Sequence, residues 1–542
     1  MMSLEKRDGC ARICKLEIDG EIFETPLMID FLKKNNLANK IDFGLAPYVL
    51  KDFDKVRFKV LSSKDERFIV ATGLKNLRPR KLVEVLIELR SKSFKPLYTP
   101  ALATPKNLPL LIYFGVDIVD NIIPIIKAYE GVYMLENTEM RIDSIKYLPC
   151  NCEVCSNHDV KEIDEELLAI HNTYVLNKQI ELVKELIRNE DLRNFVEAQS
   201  KFDPELTAML RIGDENIDFF LEFNAVFKKS RVYPTTEESF NRPEVITFFR
   251  RAINSYRPKS KVLLLLPCSA RKPYLLSRTH STIRSFLGEL IRGVEEIIIS
   301  SPLVVPRVFE LTYPAINYDT PVTGHWSNDE IKYVSDKLFK FIEGKFDVII
   351  AHVEGGYRRV VEELGVDVIF TAEENMTSRR SLENLRDAIL NVEREEFDLY
   401  LSIFEHMFRY QFNLELSEFA DEFRVRGRYP NLELYHNGRI AKVDVRYGML
   451  DIDLPLAKFL LEKGVNVVRI ADFEPKGTIF AAGVEEADER IRPNDIVVFY
   501  NDRFFGVGRA YMSGKEMMEL NRGCAIEVKK VTSFEQCNDK KL

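Results

Sequence analysis

The sequence of 542 residues has no long hydrophobic segment. Its apolar run VLLLLP, at 262–267, is far shorter than the roughly 18 residues that a helix needs to span a bilayer. The opening MMSLEKRDGC also lacks the apolar region of a secretion signal. We therefore expect a cytoplasmic protein with no membrane partner.

Cysteine is scarce, and two cofactor motifs are missing. Only eight cysteines occur, three of them within 150–155, which excludes a secreted scaffold held together by disulfides. There is no Gly-rich P-loop, so no ATP site is indicated. The C-x-x-x-C-x-x-C motif of an iron–sulfur cluster is missing as well, so any radical step would belong to another protein.

Repeats and low-complexity blocks are absent too, and the composition is that of a globular protein. Hydrophobic residues make up 46% of the chain, and its length predicts about three to five domains, each with its own core. Changes in the spacing of apolar residues divide the chain into five segments. They are an α/β unit with the cysteine cluster at 1–195, a connecting helical segment at 196–257, a Rossmann-like α/β domain at 258–395, a small α+β domain at 396–465 and a C-terminal β-barrel at 466–542.

The cysteine cluster has the spacing of a metal site. Cys150, Cys152 and Cys155 form the pattern C-x-C-x-x-C, and His171 lies in the helix predicted to follow. Three thiolates and one imidazole complete a tetrahedral Zn²⁺ site, which is structural because no position is left for water. His158 is a competing fourth ligand, and three buried free cysteines are the alternative to a metal.

The segment PCSARKPYLLSRTH, at 267–280, contains the candidate nucleophile. Cys268 directly follows a predicted buried strand, at the point where the chain leaves the sheet. Arg271, Lys272 and Arg278 are close to it in sequence, and nearby cations favour the reactive thiolate. The alternative is a buried core cysteine beside an ordinary basic loop.

The polar residues of this segment are candidates for catalysis and for substrate binding. The candidate proton donors are Lys272, Tyr274 and His280, and the candidate substrate-binding residues are Ser269, Arg271, Ser277 and Arg278. A helix predicted over 279–292 would add the positive potential of its N-terminus.

Acidic residues are entirely absent from 245–288, although the whole chain has a formal net charge of −8. This stretch contains nine basic residues, which are Arg250, Arg251, Arg257, Lys259, Lys261, Arg271, Lys272, Arg278 and Arg284. Because they surround Cys268 in sequence, they favour a polyanionic substrate such as nucleic acid. A solvated basic face without a partner is the alternative.

The alternation of strands and helices in 258–395 predicts a parallel, doubly wound sheet. Ligands bind at the carboxyl ends of such strands, so five side chains are expected to converge on one crevice: Cys268, Ser300, Ser301, His352 and Thr371. His352 is either a general acid–base or a residue that caps its strand. His325 and Trp326, in the loop TGHWS, are expected to pack rather than to bind.

Three arginines alternate in the stretch FRVRGRYP. Arg424, Arg426 and Arg428 would point to one side of a strand. This arrangement suits a track for phosphates, and it equally suits an exposed edge strand that is protected by charge.

Three separate stretches resemble known families. The sequences ARICKLEIDGEIFETP, GVDIVDN and LLAIHNTYV, with the cysteine cluster, are similar to tRNA-guanine transglycosylases. The sequences GTIFAAGV, NDIVVFY, GVGRA and RGCAIEV resemble a PUA domain, an RNA-binding pseudo-barrel. The segment at 267–280 matches the PC-x3-KPY-x2-S-x2-H signature of archaeosine synthases, which are paralogues of the transglycosylases.

The resemblance implies a truncated TIM-barrel-like N-terminal domain with a zinc subdomain. The 149 residues before Cys150 are too few for a complete (β/α)8 barrel. Asp120 in GVDIVDN aligns with the nucleophilic aspartate of the transglycosylases, but without the rest of its pocket it has no positioned substrate. We therefore expect Asp120 to be a polar residue at a strand end, and the resemblance implies a homodimer formed through this domain.

The resemblance also implies a substrate and a reaction. The substrate is a tRNA with preQ0 in its D-arm, whose nitrile is converted toward the amidine of archaeosine. Cys268 would form a thioimide, and an amine would displace the thiol; free lysine is the implied donor, with glutamine or ammonia as alternatives. A radical-SAM partner protein would complete the conversion. An active tRNA-guanine transglycosylase that uses Asp120 and a non-catalytic tRNA-binding protein are the rival hypotheses.

Overall fold

The computed structural model describes residues 2–33, 67–320, 326–373 and 375–535. Contacts between residues divide the chain into two compact units. The first consists of Met1–Ala225, Lys476–Pro493 and Ala510–Glu527, and the second of Val226–Pro475, Asn494–Arg509 and Val528–Leu542. Each unit contains a parallel sheet of its own.

The N-terminal part of the first unit is built around a small parallel sheet. Its described strands are β1 (Met2–Asp8), β2 (Ala11–Ile18), β3 (Glu21–Glu24), β4 (Leu27–Ile29), β5 (Ile69–Val70), β6 (Leu97–Tyr98), β7 (Ile118–Asp120), β8 (Val132–Met134) and β9 (Glu139–Arg141). Strands β1 to β3 form an antiparallel sheet, and β8 and β9 form a hairpin. The parallel sheet has the order β4-β7-β6-β5, so four strands of a barrel-like arrangement are present among the described residues.

Eight helices surround this sheet in the described part of residues 2–225. They are α1 (Pro79–Lys92), α2 (Leu108–Tyr113), α3 (Ile122–Tyr129), α4 (Glu153–Asn157), α5 (Glu165–Arg188), α6 (Leu192–Ser200), α7 (Pro204–Glu215) and α8 (Ile217–Phe223). The long helix α5 was expected from its apolar spacing and is confirmed. It begins after Asp164, whose carboxylate accepts a hydrogen bond of 2.8 Å from the backbone N–H of Leu167.

Helices α7 and α8, with the second half of α6, fall in the segment at 196–257 that the sequence predicts as a connection. The structure instead places them in the core of the first unit, where Leu206, Leu210 and Phe220 are buried. Their apolar residues recur at helical spacing, so each helix has a face that must be covered. The first unit therefore continues to Ala225.

The second unit contains a five-stranded, mostly parallel sheet. Its strands are β10 (Val262–Pro267), β11 (Glu295–Ile299), β12 (Val304–Pro306), β13 (Val348–Ala351) and β14 (Ile369–Phe370), in the order β12-β11-β10-β13-β14. Only β12 is antiparallel to its neighbour. The helices of this region are α9 (Pro243–Ser255), α10 (Arg278–Leu287), α11 (Asn328–Ile342), α12 (Gly355–Glu362) and α13 (Arg379–Leu390).

Strand β10 is buried on both faces, as its continuous apolar run predicts. Val262, Leu264 and Leu266 pack with α10 and α13, whereas Leu263 and Leu265 pack in the cluster that contains α11 and α12. The sheet is therefore doubly wound, as expected. Since β11 and β13 flank β10 on opposite sides, the order of strands reverses at the carboxyl ends of β10 and β13, where ligands bind in such folds.

The remaining elements complete the two units. They are α14 (Leu399–Phe412), β15 (Arg424–Arg428), β16 (Asn431–Tyr435), β17 (Arg439–Asp444), β18 (Met449–Ile452), α15 (Leu454–Lys463), β19 (Val467–Ile470), β20 (Thr478–Phe480), β21 (Val484–Ala487), β22 (Ile496–Tyr500), β23 (Phe504–Ala510), α16 (Gly514–Glu519) and β24 (Cys524–Ser533). Strands β15 to β18 form an antiparallel sheet in chain order. In the second unit β19 pairs parallel with β22, and β22 pairs antiparallel with β23.

The predicted multidomain α/β class is thus confirmed. The helix expected over 279–292 begins at Arg278 and ends at Leu287, before Gly288 with φ of 56°. Among the described residues, no helix is both long enough and apolar enough to cross a membrane.

Candidate active site and metal centre

The four predicted metal ligands lie together in the first unit. One sulfur or nitrogen atom from each of Cys150, Cys152, Cys155 and His171 lies within 4.8 Å of the others. The backbone N–H of Cys155 donates to the Cys152 sulfur at 3.4 Å, and that of Cys152 donates to the Cys150 sulfur at the same distance. Such N–H donors stabilise thiolates, and a set of three sulfurs and one imidazole fits Zn²⁺.

His171, rather than His158, completes this cluster. Its Nδ1 lies 3.3 Å from the Cys155 sulfur, while its Nε2 donates to the carbonyl of Met134 at 2.9 Å. That second bond directs the lone pair of Nδ1 at the cluster, as is usual for metal-binding histidines. The His158 ring is instead bonded to the carbonyl of Val154 at 2.9 Å.

The candidate nucleophile lies at the switch point of the second unit. Cys268 follows β10 directly, and its backbone N–H donates to the carbonyl of Ile299 at 3.0 Å. Its side chain is half-buried, and the sulfur lies 3.1 Å from the hydroxyl oxygen of Tyr357. The thiol is therefore held by contacts from both strands and helices, yet it remains partly open to solvent.

Tyr357 is a site residue that the sequence analysis missed. It lies in the first turn of α12, which begins at the glycine pair Gly355 and Gly356 directly after β13. Burial raises the pKa of Tyr357, and the neighbouring Cys268 raises it further, so this hydroxyl keeps its proton at neutral pH. The motif VEGGYRR after a buried strand was the available signal, because β13 pairs with β10 in parallel and ends beside it.

Trp326 supports Tyr357 from the side. The two rings meet edge to face, with centroids 5.2 Å apart, which agrees with the expectation that Trp326 packs. Its neighbour His325 lies outside the described residues.

Lys272 brings a positive charge to the same place. Its ammonium lies 4.4 Å from the centroid of the Tyr318 ring and has no hydrogen-bond partner among the described residues. Burial lowers the pKa of Lys272, while the proximity of Cys268 opposes that shift. An ammonium held over an aromatic face, next to a thiol, can stabilise a developing negative charge.

Tyr274 and Tyr318 form a buried pair behind Lys272. Their hydroxyls are hydrogen-bonded to each other, and both side chains are almost fully buried. Burial raises the pKa of each phenol. The predicted proton donor Tyr274 is thus engaged with Tyr318, and it forms the wall on which Lys272 rests.

His280 has no nitrogen left for catalysis. Its Nε2 donates to the carbonyl of Pro267 at 2.9 Å, and its Nδ1 accepts from the guanidinium of Arg307 at 2.7 Å. Burial, with the Arg307 charge, lowers the pKa of His280 to about 3, so the ring stays neutral. The prediction of a proton donor does not fit this geometry, and His280 instead fixes the end of β10.

A buried ionic network holds the segment at 267–280 in place. The Arg307 guanidinium donates to Glu296 at 3.1 Å and to Glu310 at 2.8 Å, in addition to His280. Glu310 in turn accepts from the backbone N–H of Leu275 at 3.2 Å. His280 and the backbone of Leu275, both in this segment, therefore hold the loop after Cys268 in position.

The four predicted substrate-binding residues have different environments. The Ser277 hydroxyl caps α10, where it accepts from the backbone N–H of His280, so it has a structural role. Ser269 donates to the carbonyl of Arg271 at 3.1 Å. Arg271 and Arg278 are exposed.

Two residues of the predicted crevice, His352 and Thr371, are bonded to each other. The Nε2 of His352 donates to the carbonyl of Met376 at 2.7 Å, which leaves Nδ1 to pair with the Thr371 hydroxyl at 2.9 Å. His352 is also fully buried. Of the two roles considered for it, the geometry favours the cap.

The basic stretch at 245–288 does not lie as a whole around Cys268. Arg257, Lys259 and Lys261 precede β10, and Cys268 follows it. Six residues of strand span about 20 Å, so these three cations lie at the opposite edge of the sheet from the thiol. Arg271, Lys272 and Arg278 follow the strand closely, whereas Arg284 lies near the end of α10 and pairs with Glu296 at the start of β11.

Asp120 would be the nucleophile of a tRNA-guanine transglycosylase, and its carboxylate is hydrogen-bonded within the first unit. Its carboxylate accepts from the Tyr98 hydroxyl at 2.7 Å and from the backbone N–H groups of Ala101 and Ile122, at 2.9 and 3.1 Å. The side chain is completely buried. Burial raises the pKa of Asp120, against the effect of these donors. This is the geometry expected for a polar residue that closes a strand end.

Comparison with known proteins identifies the family. The archaeosine synthase subunit alpha of Methanosarcina acetivorans is 38% identical over 482 residues, which cover 83% of this chain and 77% of that protein. The archaeosine synthase of Haloferax volcanii is 34% identical over 447 residues, 79% of this chain and 75% of that protein. This chain belongs to the archaeosine synthase family.

Four domain families also match parts of this chain. A queuine tRNA-ribosyltransferase family matches residues 67–204, and a domain of unknown function, DUF5591, matches 245–389. A pre-PUA domain matches 397–461, and a PUA domain matches 470–532. The predicted transglycosylase-like and PUA regions are thereby confirmed. A crystal structure of a protein of unknown function is 50% identical and covers 53% of this chain and 100% of that one, with a TM-score of 0.47.

Proposed function

We propose that this protein transfers an amine to the nitrile of preQ0 in the D-arm of tRNA, which converts the base toward the archaeosine amidine. One observation carries the proposal: the half-buried thiol of Cys268 contacts Tyr357 and faces the charge of Lys272 at the switch point of a doubly wound sheet. Membership of the archaeosine synthase family and the PUA domain support tRNA as the substrate.

In the first step, the sulfur of Cys268 adds to the nitrile carbon. A carbon–sulfur bond forms, one π bond of the nitrile breaks, and its electron pair moves to nitrogen. The nitrogen takes up one proton, so thiol and nitrile together become a thioimide. Tyr357 relays this proton: its oxygen, 3.1 Å from the sulfur, accepts the thiol proton as its own hydroxyl proton passes to nitrogen.

Lys272 stabilises the negative charge that develops on the nitrile nitrogen. Burial lowers the pKa of its ammonium, which makes it a stronger hydrogen-bond donor at neutral pH. Of the three donors predicted from the sequence, we retain Lys272. His280 is engaged with Arg307, and Tyr274 is engaged with a second tyrosine.

In the second step, an amine attacks the thioimide carbon. The carbon–sulfur bond breaks and one amine proton returns to sulfur, which leaves an amidine and a free thiol without any oxidant or ATP. We take free lysine as the amine, with ammonia or glutamine as alternative donors. A radical-SAM partner protein then completes archaeosine, and the protein acts as a homodimer.

Zn²⁺ has a structural role in this proposal. Cys150, Cys152, Cys155 and the Nδ1 of His171 would hold it, and they leave no coordination position for water or substrate. When bound, the ion cross-links the short helix α4 to α5 and supplies no chemistry to the reaction.

Transfer of labelled lysine to preQ0-containing tRNA tests the proposed function. We expect the wild-type protein to incorporate label and Cys268→Ala to incorporate none. Cys524→Ala, which removes another half-buried cysteine, is the matched control and should behave as wild type.

Each other outcome points to a different conclusion. Equal incorporation by wild type and Cys268→Ala would exclude Cys268 as the nucleophile. If the wild-type protein exchanges the base but transfers no lysine, the transglycosylase hypothesis is favoured. If it only binds tRNA, with lysine, glutamine and ammonia each supplied, the non-catalytic hypothesis is favoured.

A further inference from the structure

Strand β15 presents three arginines to solvent. Arg424, Arg426 and Arg428 are exposed, whereas Val425 between them packs against the core of the second unit. Arg424 and Arg426 are alternate residues, about 7 Å apart on one face of the strand, and Arg428 follows after Gly427, whose φ is 100°. We call these three arginines the row. Among the described strands, β15 is the edge of its sheet, because it pairs only with β16.

No carboxylate neutralises this row. In the described part of the chain, none of the three arginines forms a hydrogen bond or an ion pair. Glu433 lies opposite Arg426 in the register, but it accepts from Arg439 at 3.0 Å and from the hydroxyl of Tyr435 at 2.8 Å. The Arg426 guanidinium lies over the ring of Tyr435 instead, 4.7 Å from its centroid.

The arginines of helix α13 show the contrasting arrangement. Arg379 pairs with Glu383 at 2.8 Å, Arg380 pairs with a carboxylate at the same distance, and Arg386 pairs with Asp387 at 3.2 Å. These side chains are exposed too, so exposure alone does not leave arginines without partners in this unit. Three adjacent unpaired guanidinium groups repel one another, and an anion with regularly spaced charges would relieve that repulsion.

We infer that β15 is a binding surface for the phosphate backbone of RNA, namely the tRNA of the proposed function, on which this inference rests. Guanidinium groups bind phosphates through two parallel hydrogen bonds, and a strand presents them at regular intervals along an extended backbone. Gly427 keeps the strand close to its partner, because a side chain there would collide with the carbonyl of Asn431.

The turn after β15 is connected to the loop that carries Cys268. The Tyr429 hydroxyl donates to Glu310, and the other oxygen of that carboxylate accepts from the backbone N–H of Leu275, in the segment of the nucleophile. Both contacts are buried or partly buried, so solvent does not loosen them. RNA bound along β15 is therefore held in a defined position relative to Cys268.

The salt dependence of tRNA binding tests this inference. The variant R424Q/R426Q/R428Q is compared with R379Q/R380Q/R386Q, which loses the same charge from paired positions, using a full-length tRNA transcript as the probe. Each phosphate contact contributes almost one unit to the slope of log K against log salt concentration, so we expect the β15 variant to lose about two to three units. The α13 variant should keep the wild-type slope.

The conservative variant R424K/R426K/R428K keeps the charges and should retain most of the slope, which controls for misfolding of the strand. A β15 glutamine variant with the wild-type slope would overturn the inference. If that variant also self-associates in sedimentation, the arginines protect the edge strand instead. The proposed function is judged separately, because a protein that binds through β15 but transfers no amine contradicts only the reaction.

Discussion

At the scale of single residues, the contact between Cys268 and Tyr357 makes the sharpest prediction about chemistry. Tyr357→Phe removes one oxygen, which lies 3.1 Å from the sulfur, and leaves the ring against Trp326. Because positioned proton transfer contributes roughly 10²–10⁴-fold to a rate, we expect kcat for amine transfer to fall by about 100-fold or more. The KM for tRNA should not change, since the hydroxyl contacts the reacting atom and not the RNA.

The control for this substitution is Tyr333→Phe. Tyr333 is also a partly buried tyrosine of the second unit, and its hydroxyl donates only to the carbonyl of Phe240. Single-turnover measurements of lysine transfer should show wild-type rates for it. A Tyr357→Phe variant that changes KM alone would contradict a role in proton transfer.

The spacing of residues in sequence predicted some of this site and not the rest. The metal ligands were predictable because three of them fall within six residues and the fourth lies in the next helix. Tyr357 was not, because it lies 89 residues from Cys268 and meets it only through the pairing of β10 with β13. His280 was misjudged because no pattern reveals that its partner is the buried Arg307.

At the scale of elements, binding of a metal by the cysteine cluster is expected to hold the short helix α4 in position. This helix has five residues, far too few for a stable isolated helix, and two of the four ligands flank or belong to it. We expect Cys152→Ser to lose bound zinc and to lower the stability of the first unit by several kcal/mol. Metal analysis and thermal unfolding measure both effects.

His158→Ala is the matched control for the metal prediction. Its ring bonds to a backbone carbonyl and lies outside the cluster, so this variant should keep one zinc per chain. Loss of zinc from His158→Ala, with retention by His171→Ala, would reverse the assignment of the fourth ligand.

The sequence predicted the strands and helices better than it predicted where the basic side chains lie. The apolar run of β10 and the amphipathic helices around it determine a doubly wound sheet, because each apolar face must be covered. The basic stretch at 245–288 was expected to surround Cys268, yet β10 puts the cations directly before it and those directly after it at opposite edges of the sheet. A continuous stretch of sequence that contains a buried strand cannot form one surface patch.

At the scale of the whole molecule, the formal net charge of −8 says little about function, because the chemically important charges are local or buried. The second unit buries several titratable groups. Burial lowers the pKa of His280 to about 3 and that of His406 to about 4, and it raises the pKa of Glu295 to about 7. These groups couple the stability of the unit to pH in opposite directions.

The sign of the pH dependence follows from proton uptake on unfolding. Between about pH 4.5 and 6.5, His280 and His406 are neutral in the folded protein and bind protons when it unfolds. Glu295 is protonated in the folded protein in this range and loses its proton on unfolding. The net uptake is one proton, and His352, whose pKa is also lowered by burial, adds to it. Stability of the second unit should therefore fall with decreasing pH, by about 1.4 kcal/mol per pH unit near pH 5.

The variant Glu295→Gln removes the carboxyl group whose pKa shift opposes those of the histidines. It removes the only one of these shifts that favours folding at low pH, so the slope between about pH 4.5 and 6.5 should steepen by about 1.4 kcal/mol per pH unit. Urea unfolding at a series of pH values, followed by tyrosine fluorescence and circular dichroism, measures the slopes of both proteins. Because Glu295 accepts from the Tyr256 hydroxyl and the backbone N–H of Lys259, its glutamine variant is expected to lose some stability at every pH. Only the change in slope reports the titration, and an unchanged slope would show that Glu295 is ionised in the folded protein.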